Sequence, residues 1–178
     1  VTNNNNYGLK LSDNITLATG TAPTFTVSTA NSSLQLSGLT LDGVVSGGNT
    51  GASSVVLTKA GSGTLALTNA GNTFGGGGSI VDITGGILSA SSDGALGDAS
   101  NVIRLSANSL TQGFRATGTF ATSRSFVINA ANAGIDVTMG NTLTLNTALT
   151  FVTATNNFEK NDLGTLVLTQ AQPGWNGQ

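Results

Sequence analysis

The chain has no cysteine, no histidine, two prolines, and only 14 charged residues, six Lys and Arg against eight Asp and Glu. Without Cys there is neither a disulfide framework nor a thiolate metal site. Without His the commonest general base and metal ligand is missing. Charged residues at 8%, against about 25% in an ordinary domain, leave too few ion pairs and good helix formers for a helical bundle. A net charge of −2 with no basic run cannot neutralise a row of phosphates, so nucleic acid is not expected as a partner. No stretch approaches the roughly 18 apolar residues that span a bilayer, so this segment is not expected to insert into a membrane. The chain opens on Val1 with neither Met nor a basic, apolar leader; any signal peptide is expected to have been removed or to lie outside it.

What fills the chain instead is Gly 25, Thr 27, Asn 19 and Ser 18, half of its 178 residues. Such polarity with so little charge would also fit disorder, and hydrophobic periodicity decides against it. Short alternating segments recur: Leu9–Leu11, Ile15–Leu17, Phe25–Val27, Leu34–Leu36, Leu39–Leu41, Leu65–Leu67, Ile80–Ile83, Val102–Leu105, Phe126–Ile128, Ile135–Val137, Leu143–Leu145 and Leu166–Leu168. Between them stand Gly-Gly and Asn-rich clusters and Ser92-Asp93-Gly94, so the chain makes short straight runs and then bends. Strands this brief, with aromatics at 5%, do not build the thick core of a two-sheet sandwich. They predict an all-β, parallel β-helix (β-solenoid) of about six to eight short-stranded turns, at roughly 20 to 30 residues per turn. Leu, Val and Ile should stack inward, Thr, Ser and Asn face outward, and Gly or Asn take the corners. At about 4.8 Å per turn the stack would be on the order of 30 to 40 Å long.

An internal repeat supports this reading. Residues 57–77 align without a gap on 158–178 at an offset of 101: Lys59 on Lys160, Gly63 on Gly164, Thr64, Leu65, Leu67 and Thr68 on Thr165, Leu166, Leu168 and Thr169, and Phe74 on Trp175. The second copy stops at Gln178 in mid-unit, so 1–178 is expected to be a single solenoid segment of a longer repeat protein, with copies at 56–97 and 158–178. The run Lys59 to Thr68, then Asn72-Thr73-Phe74-Gly75-Gly76, Val81 to Leu88 and Ser92 to Gly97 resembles the passenger-associated repeat of autotransporters. The segment Arg124–Leu145 is similar to the spacer between copies. The resemblance implies a right-handed parallel β-helix exported to the surface, outer-membrane-associated, of a Gram-negative-type bacterium. Phe74 in place of the usual Tyr, the long run Gly75–Gly78, and Asn161-Asp162-Leu163 in the second copy mark the repeats as degenerate.

Each residue with chemical potential has a plainer reading beside it. Gly75–Gly78 lacks the Lys-Ser/Thr of a phosphate loop and is read as a solenoid corner. Asp93 and Asp98 flank Gly94–Gly97 as a conceivable Ca²⁺ pair, without EF-hand or nonapeptide spacing. Asp82 and Asp136 are the best candidates for a glycosidase-type carboxylate pair on a β-helix, with no supporting Lys, Arg or His cluster apparent. Lys59 and Lys160 are either a positive row for a surface ligand or stems lying along the solenoid with their heads in solvent, the latter preferred. Trp175 and Tyr7 offer rings for sugar stacking, although the match to Phe74 favours packing for Trp175. Asn14-Ile15-Thr16 and Asn31-Ser32-Ser33 are formal sequons, and Asn3–Asn6 reads as a polar corner or linker.

No catalytic, cofactor or metal residue is therefore expected, and the chain is not expected to be an enzyme. The leading expectation is a structural extracellular solenoid, a rigid stalk, fibre or sheath unit that makes homotypic contacts with further repeats or subunits through its open strand edges. The alternative is an autotransporter passenger adhesin with a cell-surface or glycan ligand. A carbohydrate-active enzyme on the same scaffold is disfavoured by the missing His and scattered acids.

Overall fold

The computed structural model describes residues 2–3, 8–28, 37–153 and 155–173. They form a parallel β-solenoid. One long sheet takes β1 (Thr2–Asn3), β4 (Thr24–Val27), β7 (Val55–Ala60), β9 (Ile80–Ile83), β11 (Val102–Leu105), β14 (Phe126–Ile128) and β17 (Thr150–Phe151), in that spatial order. The second, which we call the B face, takes β2 (Leu9–Leu11), β5 (Ser37–Leu41), β8 (Thr64–Leu67), β10 (Ile87–Ala90), β12 (Gly113–Ala116), β15 (Asn132–Val137) and β18 (Asn157–Asn161). A third face is built by β3 (Ile15–Leu17) with β6 (Val45–Gly47), and by β13 (Phe120–Thr122), β16 (Thr142–Leu145) and β19 (Thr165–Leu168). Five circuits thus carry a strand on all three faces. Between them, two circuits replace the third strand with the loop 68–79 and the 3-10 turn Asp93–Leu96.

Seven strands in each long sheet agree with the expected turn count, and at about 4.8 Å per strand they span roughly 30 Å. Circuit length runs from 21 residues between Gly113 and Gly134 to 34 between Thr24 and Thr58. The longest circuit passes through 29–36, outside the described residues. Of the twelve alternating segments, Leu34–Leu36 also lies there, and each of the other eleven falls on a strand.

Strand pairing is parallel and nearly unbroken in register, so like positions stack in columns. One inward column of the B face reads Leu9, Leu39, Leu65, Leu88, Phe114, Ile135, Lys160. On the first sheet the column reads Phe25, Lys59, Ile83, Leu105, Ile128, Phe151. Leu39, Leu65, Leu88, Ile83 and Leu105 are fully buried, and burying one such side chain contributes about 1.5–3 kcal/mol. Phe114 and Phe126 meet edge-on at 5.3 Å in the middle of the stack.

The Thr and Asn content has a structural use beyond solvating outward faces. Thr68, Thr84, Thr138 and Thr169 each follow a strand, and each donates both its backbone N–H and its hydroxyl to one carbonyl of the preceding circuit: Leu41, Lys59, Ala116 and Leu145 respectively. Asn101 is fully buried. Its amide donates to Phe74 O (2.9 Å) and Leu96 O (3.1 Å) and accepts from Gly76 N (2.9 Å). Asn72 likewise accepts from Val45 N and donates to Ala95 O, 2.8 Å each, joining three circuits. Corner carbonyls that no strand ladder reaches are thereby satisfied.

Substituting Asn101 with Ala leaves Leu96 O and Gly76 N–H without their partner and Phe74 O with only the Asp98 N–H. Denaturant unfolding should show a loss of at least about 2 kcal/mol, whereas the exposed Asn146→Ala should change stability by less than about 0.5 kcal/mol.

Candidate functional site

The two repeat lysines are not a surface row. Lys59 is on the first sheet and Lys160 on the B face, and each occupies a core column where its neighbours are aliphatic or aromatic. The repeated stretch is therefore a strand–corner–strand unit that has moved by one face of the triangle between its copies. Within the corner the geometry is conserved. Lys59 Nζ donates to Gly61 O (2.9 Å) and Lys160 Nζ to Asp162 O, two residues on in both cases. That residue has a positive φ in both, 76° for Gly61 and 65° for Asp162, so Asp162 does the conformational work of the glycine it replaces.

Solvent does not reach the head of Lys59, contrary to expectation: the residue is 0% exposed. Its ammonium also donates to Ala60 O (2.7 Å) and to Gly85 O of the next circuit (2.8 Å), which bolts two corners together. A Cβ on Gly86 would stand 2.2 Å from Gly63 O and 2.7 Å from Lys59 Nζ, so the glycine pair 85–86 is what lets the chain approach. Burial pushes the Lys59 amine down to about 7. The three carbonyls work in the opposite sense, because only the protonated amine has three N–H donors.

The carboxylates are engaged in the same way. Asp82 on β9 lies directly opposite Arg104 on β11, which grips it at 3.1 and 2.7 Å, and Ser106 donates to it at 2.6 Å. Asp136 on β15 lies opposite Arg115 on β12, at 3.2 and 2.8 Å. Burial raises the Asp136 carboxyl while Arg115 opposes the rise. The two carboxylates weighed as a glycosidase-type pair are not brought together, since Asp82 and Asp136 sit on different sheets. Between Asp93 and Asp98 a cation does sit, but it is the guanidinium of Arg124. It donates to Asp93 Oδ1 (2.8 Å), Asp93 O (3.0 Å), Gly97 O (2.8 Å) and Asp98 O. Hydrogen bonds from Ser100 hold the Asp98 carboxyl below its usual range. Among the described residues no three of His, Cys, Asp or Glu converge as a metal site.

Arg104, Arg115 and Arg124 were not apparent from sequence as partners. The signal was there in the spacing: Asp82 to Arg104 is 22 residues, Arg115 to Asp136 is 21, Asp93 to Arg124 is 31, and Lys10 pairs with Asp42 at 2.8 Å. Each pair is separated by about one circuit. All six cations are thus engaged within the chain, four by carboxylates and two by carbonyls.

Gly75–Gly78 is a corner, all four residues having positive φ. Gly75 N–H donates to Gly47 O and Gly76 O accepts from Gly51 N–H, and Phe74 is fully buried beside them. Asn14 is exposed and accepts from Val44 N at 3.0 Å. Trp175, Tyr7, Asn31–Ser33 and Asn4–Asn6 lie outside the described residues.

At the B-face corner a groove of about 340 Å³ is lined by Thr64, Ser89, Arg115, Thr117, Thr138, Met139 and Asp162. Met139 is 72% exposed. No helix among the described residues is long and apolar enough to cross a membrane. Comparison with known proteins finds no matching protein family, no matching curated protein and no matching solved structure.

Replacing Lys59 with Met keeps the stem and removes the donors. Because it strands three corner carbonyls, it should cost about 2–4 kcal/mol in denaturant unfolding, against less than about 1 kcal/mol for Lys160→Met. The folded chain releases the Lys59 proton at about 7 and the unfolded chain near 10.5. Between those values the unfolded state binds more protons, so stability rises with pH. Relative to Lys59→Met, the wild type should gain roughly 3–4 kcal/mol in unfolding free energy from pH 7 to pH 10; a flat difference would show that the cage holds the ammonium protonated throughout.

Proposed function

We propose that this parallel β-solenoid is a structural segment of a bacterial surface protein of the autotransporter-passenger type, a rigid rod that acts as stalk, fibre or sheath unit outside the cell. The observation that carries this reading is the internal engagement of every cation by another part of the chain. A further support is the rotation of the repeat by one face, since Lys59 and Lys160 point into different sheets rather than lining one ligand-binding stripe. The chemistry that recurs among the described residues, Thr and Asn on corner carbonyls and Arg on Asp across one circuit, joins each circuit to the next, which supports a structural role. We accordingly propose no catalytic role: each candidate carboxylate already has its guanidinium.

Strands β1–β3 at one end and β17–β19 at the other have a strand neighbour on one side only among the described residues, and such edges are templates for further pairing. Homotypic contact is the partner we propose. In sedimentation velocity at micromolar concentration, the 178-residue chain should form linear, head-to-tail particles whose population grows with concentration. A single monomeric species over that range would overturn the assembly part of the proposal, and turnover of any polysaccharide in a hydrolysis screen would overturn the non-enzymatic part.

A second reading, the passenger as adhesin, is favoured by one specific observation: the groove beside Met139 and Asp162, where polar groups and an exposed apolar side chain meet in a concavity.

A further inference from the structure

We propose that the groove at the B-face corner binds a neutral saccharide, one or two rings lying between Met139 and Asp162. This rests on the adhesin reading and specifies its ligand. At about 340 Å³ the groove is at the small end of the roughly 300–1,000 Å³ of ligand clefts, which suits sugar residues rather than a peptide.

The chemistry narrows the class. Arg115 brings a positive charge to the groove, but Asp136 neutralises it through two hydrogen bonds across adjacent strands. Asp162 then adds a carboxylate whose charge is offset by the Lys160 ammonium on Asp162 O, leaving a groove with no net positive charge to draw uronic acids, sialic acids or phosphates. A carboxylate is an acceptor only, so it asks for a ligand rich in donors. One oxygen of Asp162 accepts from Leu163 N–H at 2.8 Å, which orients the group and leaves the other for a sugar hydroxyl. The corner also fixes its place: Lys160 Nζ binds Asp162 O, and the positive φ holds the turn. Thr117 adds an exposed hydroxyl.

Across from them Met139 is 72% exposed and borders the groove. A flexible thioether adapts to the C–H face of a pyranose ring. A sugar ring has this double character, apolar on its face and a rim of hydroxyl donors on its edge. Thr138, one circuit on, also lines the groove; its hydroxyl is held by Ala116 O and Asn141 Nδ2, so it contributes shape and its methyl group rather than a free donor.

The test titrates the 178-residue chain with the methyl glycosides of glucose, galactose, mannose and N-acetylglucosamine, with glucuronate as acidic control, by ligand-observed NMR. Co-sedimentation with insoluble neutral polysaccharide distinguishes a surface polymer from a free sugar. At least one neutral glycoside should bind in the millimolar range, more tightly than glucuronate. Asp162→Asn, which keeps a residue tolerant of positive φ, should weaken it about tenfold, and Met139→Ala about three- to tenfold, with unchanged denaturation midpoints. Absence of binding by all four glycosides, or equal binding by wild type and both variants, would overturn the proposal. A chain that binds sugar yet stays monomeric fails the rod reading alone, and one that assembles without binding sugar fails this one alone.

Discussion

The parallel ladder between consecutive circuits is the constraint on which everything else rests. Because each strand pairs with its equivalent one circuit on, a residue's neighbours are set by the column it falls in, not by its neighbours in sequence. Columns of Leu, Ile and Val bury a continuous apolar core only one side chain deep on each face, and no helix or second layer covers it. In such a core an unpaired backbone group at a corner is costly. Groups that leave the ladder at a bend are met from their own or a nearby circuit, as Leu110 O is by Asn161, 51 residues on.

That requirement accounts for the unusual composition. Threonine after a strand places an N–H and a hydroxyl on one carbonyl of the preceding circuit, and buried asparagine has both donor and acceptor on a short stem, so it joins neighbouring corners in either direction. Lysine does the same from inside. Its stem fills a position in the apolar column and its ammonium reaches back over the corner to carbonyls that neither strand uses. Placing a charge there is costly, and the cage at Ala60, Gly61 and Gly85 is what makes it tolerable. Arginine serves the wider corner at the 3-10 turn, where one planar group with five donors reaches three carbonyls and a carboxylate that a lysine would serve only in part. The polar residues are thus chiefly mortar between circuits. Where they are not, at the groove beside Met139, the surface has a different character.

The fold was legible because the period-2 alternation and the glycine-rich bends are local signals, carried by residues a few positions apart. Eleven alternating segments are strands for that reason, while others, among them β6, β12 and β18 (Val45–Gly47, Gly113–Ala116 and Asn157–Asn161), show little alternation of their own and are strands by virtue of the neighbours they pair with. The same distinction divides the candidate site. Gly75–Gly78 could be recognised as a bend from its own residues. The burial of Lys59 could not, since it depends on Gly85 in another circuit, and neither could the capture of Asp93 by Arg124, which lies 31 residues on.

Sequence alone determined that this chain folds as a solenoid of short strands and that its lysine-bearing corner recurs, because both follow from local pattern and composition. Tertiary structure decided where each copy of that corner lies and what its charge meets. Variable circuit length, from 21 to 34 residues, accumulates along the stack, so an offset of 101 residues brings the same corner to a different face. No local pattern records that sum, and it is this that puts the two lysines on different faces, one bolting neighbouring circuits from inside and the other closing its own corner.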